Sequence, residues 1–153
     1  MTMAIKNSST TYPCLVADIG GSNARFGWLA KERADVSHVQ TLVVSEFATP
    51  IEASLAYLSG IAQLLGENYQ APRRAAFAVA TAVGQDQINF TNSHWSFSQA
   101  SVQQALQLDN FLVLNDFEAL ALSLPRLKHS QIKAHKQLPS QHGTLAVIGP
   151  GTG

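Results

Sequence analysis

Three short apolar runs constrain the fold of this chain more than any other feature of its sequence. They cover residues 15–19, 75–83 and 111–114, and polar residues or glycines follow each of them. Runs of this length are too short for buried helices, and continuous apolar character is typical of strands that are covered on both faces. Strands of that kind belong to sheets whose connections include helices, so the runs predict an α/β domain.

The segments around these runs complete the expected order of elements. After the first run, the turn at 20–23 and the alternating segment 24–29 predict a β-hairpin, and residues 36–44 predict a third antiparallel strand. Three shorter elements are also expected, namely a strand at 87–91, a helix at 98–106 and a strand at 144–148. The fold class is therefore α/β, with a mixed sheet that contains a three-stranded antiparallel meander and is flanked by helices.

A helix is expected after the third strand because its capping residues are all present. Thr49 is a good N-cap, Pro50 suits the first helical position, and Glu52 completes a capping box. Gly66 is suited to end this helix. Its predicted apolar face comprises Ile51, Leu55, Leu58, Ala62 and Leu65.

Another helix is expected directly after the run at 111–114. Asp116 is a candidate N-cap for it, and Pro125 follows its last turn. Its predicted apolar face comprises Phe117, Leu120, Ala121 and Leu124. The polar segment 126–143 is expected to be a solvated connection.

Composition and charge narrow the possible partners. Charged residues make up only 13 % of the chain, and ten Lys plus Arg balance ten Asp plus Glu, which argues against nucleic acid or anionic lipid as a partner. Residues 1–13 are polar and are expected to form a flexible tail, and no later run approaches the roughly 18 apolar residues of a membrane span. With Cys14 as the single cysteine, we expect a cytoplasmic protein that binds a small molecule.

Polar residues follow the buried strands at the edge where α/β sheets bind ligands. Asp18, the pair Gly20–Gly21, the pair Asn115–Asp116 and the segment 151–153 all occupy such positions. Each also has a purely structural explanation, since Gly–Gly suits a tight turn, Asp18 could stabilise a turn, and Asp116 could cap a helix. Taken one at a time, these residues leave both interpretations open.

Taken together, four segments resemble the bacterial glucokinase family of the sugar-kinase, Hsp70 and actin superfamily. Residues 15–25 resemble its first phosphate motif, Asp-x-Gly-Gly-Thr-Asn-x-Arg, with Ser22 in place of the commoner Thr. Residues 90–95 resemble its Thr-Asn-x-x-Trp segment, and residues 114–119 its Asn-Asp-Phe-x-Ala segment. Residues 149–153 resemble the start of its second phosphate motif. The resemblance implies a ribonuclease H-like lobe of the actin-like ATPase type.

The resemblance also implies roles for individual residues in the phosphorylation of glucose by ATP. Asp116 is the expected catalytic base, and Asn115, Asp116 and Asn92 are expected to bind the sugar. Asp18 is expected to orient Mg²⁺ through water. The residues expected to bind the nucleotide are Ala17, Asp18, Ile19, Gly20, Gly21, Ser22, Gly151, Thr152 and Gly153.

By the same resemblance, residues 14–153 correspond to the amino-terminal lobe of a two-lobed kinase whose second lobe is absent from this chain. The full-length protein is expected to be a homodimer. Two alternatives remain open, a sugar-sensing regulatory domain and a kinase of another hexose. The first is disfavoured because thirteen residues before the lobe are too few for a helix-turn-helix.

Overall fold

A computed structural model describes residues 11–133, 144 and 146–149 of the chain. Its strands and α-helices, in chain order, are β1 (Cys14–Ile19), β2 (Asn23–Leu29), β3 (Ser37–Val43), α1 (Pro50–Leu65), β4 (Arg74–Val79), β5 (Gln87–Asn89), β6 (Ser96–Ser98), α2 (Gln99–Ala105), β7 (Asn110–Asn115) and α3 (Asp116–Ser123). Short 3₁₀ turns follow β3 at Val44–Glu46 and α3 at Leu124–Arg126.

Five of these strands form one mixed sheet in the order β3-β2-β1-β4-β7. The first three strands pair antiparallel, whereas β4 runs parallel to β1, and β7 runs parallel to β4. The expected meander and mixed sheet are therefore confirmed. The remaining strands, β5 and β6, form a separate antiparallel pair.

Much of the hydrophobic core lies between the sheet and α1, and buried residues of β5, β6 and α2 extend it. Phe26 of β2 stacks on Tyr57 of α1 with ring centroids 5.4 Å apart, and it meets the edge of Phe77 of β4 at 6.1 Å. All three rings are fully or almost fully buried. Aromatic pairs in these geometries add to the stabilisation that comes from area burial alone.

The buried face of α1 differs from the predicted one. Of the five residues expected to form it, Leu58 is buried and Ile51 and Leu65 pack against the core while partly exposed, but Leu55 is 48 % exposed. The face that packs on the core instead includes Ser54 and Tyr57. These polar side chains can be buried because the Tyr57 hydroxyl donates to the His38 carbonyl over 3.0 Å, and the Ser54 hydroxyl donates within its own helix. Ala53, Tyr57 and Ile61 form a second apolar stripe beside the predicted one, so apolar periodicity alone did not determine which side of the helix packs on the core.

The ends of α1 agree with the capping residues of the sequence. The Thr49 hydroxyl accepts a hydrogen bond from the Glu52 N–H over 3.2 Å, which confirms the N-cap. The Glu52 carboxylate accepts from the Ala48 N–H at 2.9 Å, one residue before the position in the usual capping box. Gly66 ends the helix with a φ of 54°, a conformation that favours glycine.

The second half of the chain differs from the expected order of strands in two places. No strand is present at 144–148 in the part that the structure describes, namely residues 144 and 146–148, and Ile148 is 94 % exposed. A strand requires a hydrogen-bonded neighbour, and none of the described strands pairs with this segment. Conversely, β6 was not expected from the sequence, because Ser96–Ser98 has one apolar residue and becomes a strand only by pairing with β5.

The predicted apolar face of α3 is not buried among the described residues. Phe117 is 39 % exposed and Leu120 is 43 % exposed, and no residue of the helix is buried. The helix begins directly after β7 and contacts β7 and β4. In the described part of the chain, no helix has the length and apolar character that crossing a bilayer requires.

Candidate active site

The carboxyl ends of the three parallel strands lie side by side at one edge of the sheet. Ile19 of β1 is opposite Val79 of β4, and Val79 is opposite Asn115 of β7. Just beyond the paired residues, the Ala80 N–H donates to the Ile19 carbonyl over 3.1 Å. The polar residues that follow these strands are therefore brought together at the edge where α/β sheets bind ligands.

The turn at residues 20–22, called here the phosphate turn after its expected role, is held at both ends by main-chain hydrogen bonds. The Gly20 N–H donates to the Asn23 carbonyl over 2.9 Å, which closes the hairpin between β1 and β2. The Ser22 carbonyl accepts from the Val44 N–H, also over 2.9 Å. The Ser22 side chain is exposed, so its hydroxyl is accessible to a ligand.

Gly21 allows a close approach between this turn and a second segment of the expected site. A Cβ atom at position 21 would lie only 2.6 Å from the carbonyl oxygen of Asn92. Since main chain cannot move aside cheaply, a side chain at position 21 would displace one segment from the other. The structure therefore places Asn92 directly against the phosphate turn, and the Asn92 side chain is exposed there.

The residues of β1 that were expected to bind the nucleotide point to opposite faces of the sheet. Ala17 and Ile19 are buried, so only their main chain can contribute to a ligand site. Asp18 points to the other face, where its side chain is 61 % exposed and lies 3.3 Å from the guanidinium of Arg25. Alternation along the strand thus directs the Asp18 side chain into solvent, so its carboxylate carries no burial cost.

Asp18 fits a magnesium site of the type in which the metal is held mainly by phosphates and water. Mg²⁺ in nucleotide sites keeps several waters and takes only one or two protein carboxylates. In the described residues, no group of three or more potential metal-ligating side chains comes together, so a metal cage built from protein alone is not formed there. The exposed Asp18 carboxylate beside the phosphate turn suits a metal that is held mainly by phosphates and water.

Asn115 links β7 to its neighbours through both atoms of its amide. Its Oδ1 accepts from the Phe117 N–H over 3.0 Å and so caps α3, and its Nδ2 donates to the Thr81 carbonyl over 3.1 Å. The orientation of the amide is therefore fixed by the protein. One N–H and one oxygen lone pair of the side chain remain available for a ligand.

Asp116 is the first residue of α3 and not its cap. The strand conformation extends through Asn115, whose ψ is 147°, so Asn115 occupies the N-cap position. The Asp116 side chain is half-buried, and its Oδ1 also accepts from the Phe117 N–H, over 2.9 Å. Among the described residues, no hydrogen bond engages its Oδ2. One carboxylate oxygen is thus oriented by the helix start, while the other is available for chemistry.

Thr81 and Asp86 are structural residues of this edge that the sequence did not single out. The Thr81 hydroxyl donates to the Asn89 carbonyl over 2.8 Å, so this residue connects Asn115 to β5. The Ser98 hydroxyl and the Ala100 N–H hold the pKa of Asp86 below its usual range. Asp86 thereby fastens the loop after β4 to the start of α2.

The structure describes only the first residue, Gly149, of the second phosphate motif. The segment 150–153, including the expected nucleotide-binding residues Gly151, Thr152 and Gly153, lies outside the described residues. Gly149 packs against the ring of Phe117, where a Cβ atom would come within 2.8 Å of Cζ. The second phosphate motif therefore begins beside the start of α3.

Comparisons with known proteins show the family of this chain. The sequence profile described as Glucokinase matches residues 15–153. The chain belongs to the glucokinase family. It is 41 % identical to the glucokinase of Aromatoleum aromaticum over 95 % of its own length and 39 % identical to that of Neisseria gonorrhoeae over 96 %. In both cases it spans 43 % of the relative's length.

Solved structures extend the likeness to three dimensions. A glucokinase from an Antarctic psychrotroph is 34 % identical to this chain and superposes on it with a TM-score of 0.69. The match covers 78 % of this chain and 37 % of the psychrotroph chain. A ROK-family glucokinase from Streptomyces griseus, solved with glucose and AMPPNP, is 20 % identical to this chain and superposes on it with a TM-score of 0.51. That match covers 72 % of this chain and 35 % of the Streptomyces chain. The fold expected from the sequence, a lobe of the actin-like ATPase type, is thus confirmed.

Proposed function

We propose that this chain is the amino-terminal lobe of a two-lobed kinase that transfers the γ-phosphoryl group of ATP to the 6-hydroxyl of glucose. The observation that carries the proposal is the convergence at one sheet edge of the phosphate turn, Asn92 and the Asn115–Asp116 pair. A phosphoryl donor and a hydroxylated acceptor need this proximity, because positioning supplies much of the rate in phosphoryl transfer.

Asp116 is the proposed catalytic base. The sugar oxygen forms a bond to the γ-phosphorus, and the proton of that hydroxyl passes to Oδ2 of Asp116. The bond between the γ-phosphorus and the oxygen that bridges it to the β-phosphorus breaks, and its electron pair stays on that oxygen of ADP. The helix start supports this role because the Phe117 N–H fixes the other carboxylate oxygen. A fixed carboxylate with one accessible oxygen is the geometry that general base catalysis needs.

Asn115 and Asn92 are the proposed sugar-binding residues alongside Asp116. Asn115 retains one N–H and one lone pair after its contacts with Thr81 and Phe117, enough to pair with one or two sugar hydroxyls. Asn92 presents an exposed amide from the segment that lies against the phosphate turn. Both residues would therefore face a ligand that sits between these segments.

The phosphate turn is the proposed binding site for the nucleotide. We place the ATP phosphates at the main chain of the phosphate turn, with the Ser22 hydroxyl as a further donor, and Asp18 orients Mg²⁺ through its water ligands. The metal neutralises charge on the phosphates when it is bound. A homodimeric full-length protein and a cytoplasmic location complete the proposal.

The test is an ADP-release assay on the full-length protein with ATP, Mg²⁺ and a panel of hexoses. We expect turnover with glucose, whereas the chain of residues 1–153 alone releases no ADP above background, because one wall of a cleft cannot position both reactants. Turnover with a different hexose alone would favour the alternative substrate. Sugar binding without any turnover would favour a sensing domain.

A further inference from the structure

The segment from Thr91 to Trp95, called here the 91–95 loop, connects β5 to β6 and is anchored by a buried indole. The Phe90 N–H donates to the Trp95 carbonyl over 3.4 Å, which closes the loop at its base. The Trp95 side chain is only 1 % exposed, and its indole N–H donates to the Phe47 carbonyl over 2.9 Å. The loop is therefore fixed to the segment that joins β3 to α1.

The neighbouring His94 makes a second contact with the same carbonyl. Its Nε2 lies 3.0 Å from the Phe47 oxygen. Because a carbonyl oxygen can only accept, Nε2 must carry the hydrogen in this contact. The Phe47 oxygen then accepts two hydrogen bonds, which uses both of its lone pairs. Unlike Trp95, His94 is exposed, so packing in the core does not explain its position.

The Phe47 carbonyl is itself tied to the phosphate turn. The Phe47 N–H donates to the Val44 carbonyl over 3.2 Å, and the Val44 N–H donates to the Ser22 carbonyl over 2.9 Å. On its other side, the 91–95 loop contacts this turn directly, since the main chain of Asn92 lies against Gly21. These contacts form a closed ring of turn, Phe47 segment and loop.

We propose that His94 is a positioning residue that sets the orientation of Asn92 for the sugar through its hydrogen bond to the Phe47 carbonyl. The proposal rests on the proposed function, because it assumes that Asn92 contacts the sugar. Because the buried Trp95 side chain anchors the loop, the His94 hydrogen bond should contribute little to folding. Its effect is to orient the Asn92 segment of the loop. Losing one such hydrogen bond should raise the KM for glucose about 3- to 10-fold, with kcat within about twofold of wild type.

Paired substitutions of His94 in the full-length protein test the proposal. His94→Gln places an amide N–H close to the position of Nε2 and should keep the wild-type KM, whereas the shorter His94→Asn cannot reach the carbonyl and should raise it. His94→Met matches glutamine in length, has no donor, and should behave like His94→Asn. His38→Asn is the matched control, since His38 is an exposed histidine on β3 with a φ of 50°, a conformation that asparagine tolerates.

The possible outcomes separate this proposal from the proposed function. No hexose turnover by the wild-type protein would overturn both. Wild-type turnover with an unchanged KM in His94→Asn and His94→Met, or a raised KM that His94→Gln does not restore, would overturn only the role of His94. A melting temperature lowered by more than about 5 °C, together with a fall in kcat, would also contradict it, because His94 would then act on folding.

Discussion

Helices α1 and α3 both begin with a side-chain cap, yet they differ in how they are held. In α1, the Thr49 hydroxyl caps a helix of 16 residues whose inner face is buried against the sheet. In α3, the Asn115 amide caps a helix of eight residues, none of which is buried among the described residues. The first helix is held by packing, and the second is held mainly at its first turn.

This difference separates stability from function in the lobe. Burial of apolar side chains is the main source of folding free energy, so substitutions in α1 should act on stability. The first turn of α3 carries Asn115 and Asp116, whose polar atoms are only partly satisfied by the protein. Substitutions there should act on binding and turnover, and loss of the Asn115 cap should in addition lower the free energy of unfolding by only about 1 kcal/mol. The variants below probe each side of this comparison in the full-length protein.

The largest effect on stability is expected for the core side of α1. Ile61 is 5 % exposed, so Ile61→Ala should lower the free energy of unfolding by about 2–4 kcal/mol through lost burial and a residual cavity. Denaturant unfolding measures it. Leu64 of the same helix is 65 % exposed, and Leu64→Ala is the control that should change stability by less than about 0.5 kcal/mol. Equal losses in the two variants would contradict the observed helix face.

A smaller effect, but on binding, is expected at the cap of α3. Asn115→Ala should weaken glucose binding by about 1–3 kcal/mol, since it leaves a sugar hydroxyl unpaired and frees the Thr81 carbonyl. Isothermal titration calorimetry gives the dissociation constant directly. An unchanged constant would remove Asn115 from the sugar site and leave it only the capping role.

The smallest effect is expected at the cap of α1, which serves as the comparison for the cap of α3. Thr49→Ala should lower the free energy of unfolding by about 1 kcal/mol, as the loss of an N-cap typically does, and should leave the glucose dissociation constant unchanged. Thr49→Ser keeps the hydroxyl and should stay close to wild type. If Thr49→Ala weakened glucose binding as much as Asn115→Ala, the separation between the two helices would be wrong.

The sequence predicted features that depend on local chemistry. The cap at Thr49 and the mixed sheet follow from residue types over short stretches, and both are confirmed. The buried face of α1 could not be predicted from apolar periodicity, because Ala53, Tyr57 and Ile61 form a second apolar stripe beside the predicted one. The burial of Tyr57 also depends on the distant His38 carbonyl, which accepts from its hydroxyl.

Contacts between segments far apart in the chain were equally hidden at the candidate site. The sequence motifs placed Gly21, Asn92 and Asn115 at the site, but they carried no signal for the bonds that hold it together. The approach of Asn92 to Gly21 and the bond from Asn115 to Thr81 join residues more than 30 positions apart. Such contacts arise only once the sheet brings its strand ends to one edge.

Measuring kcat and thermal stability of Asp116→Asn in the full-length protein tests the central claim most directly. Asparagine fills the same volume and can still accept from the Phe117 N–H, but it cannot take up the hydroxyl proton. We predict that kcat falls by about 10²- to 10⁴-fold while glucose affinity and melting temperature stay near those of the wild type. A near-normal kcat combined with a lowered melting temperature would contradict the account and leave Asp116 with a structural role at the start of α3.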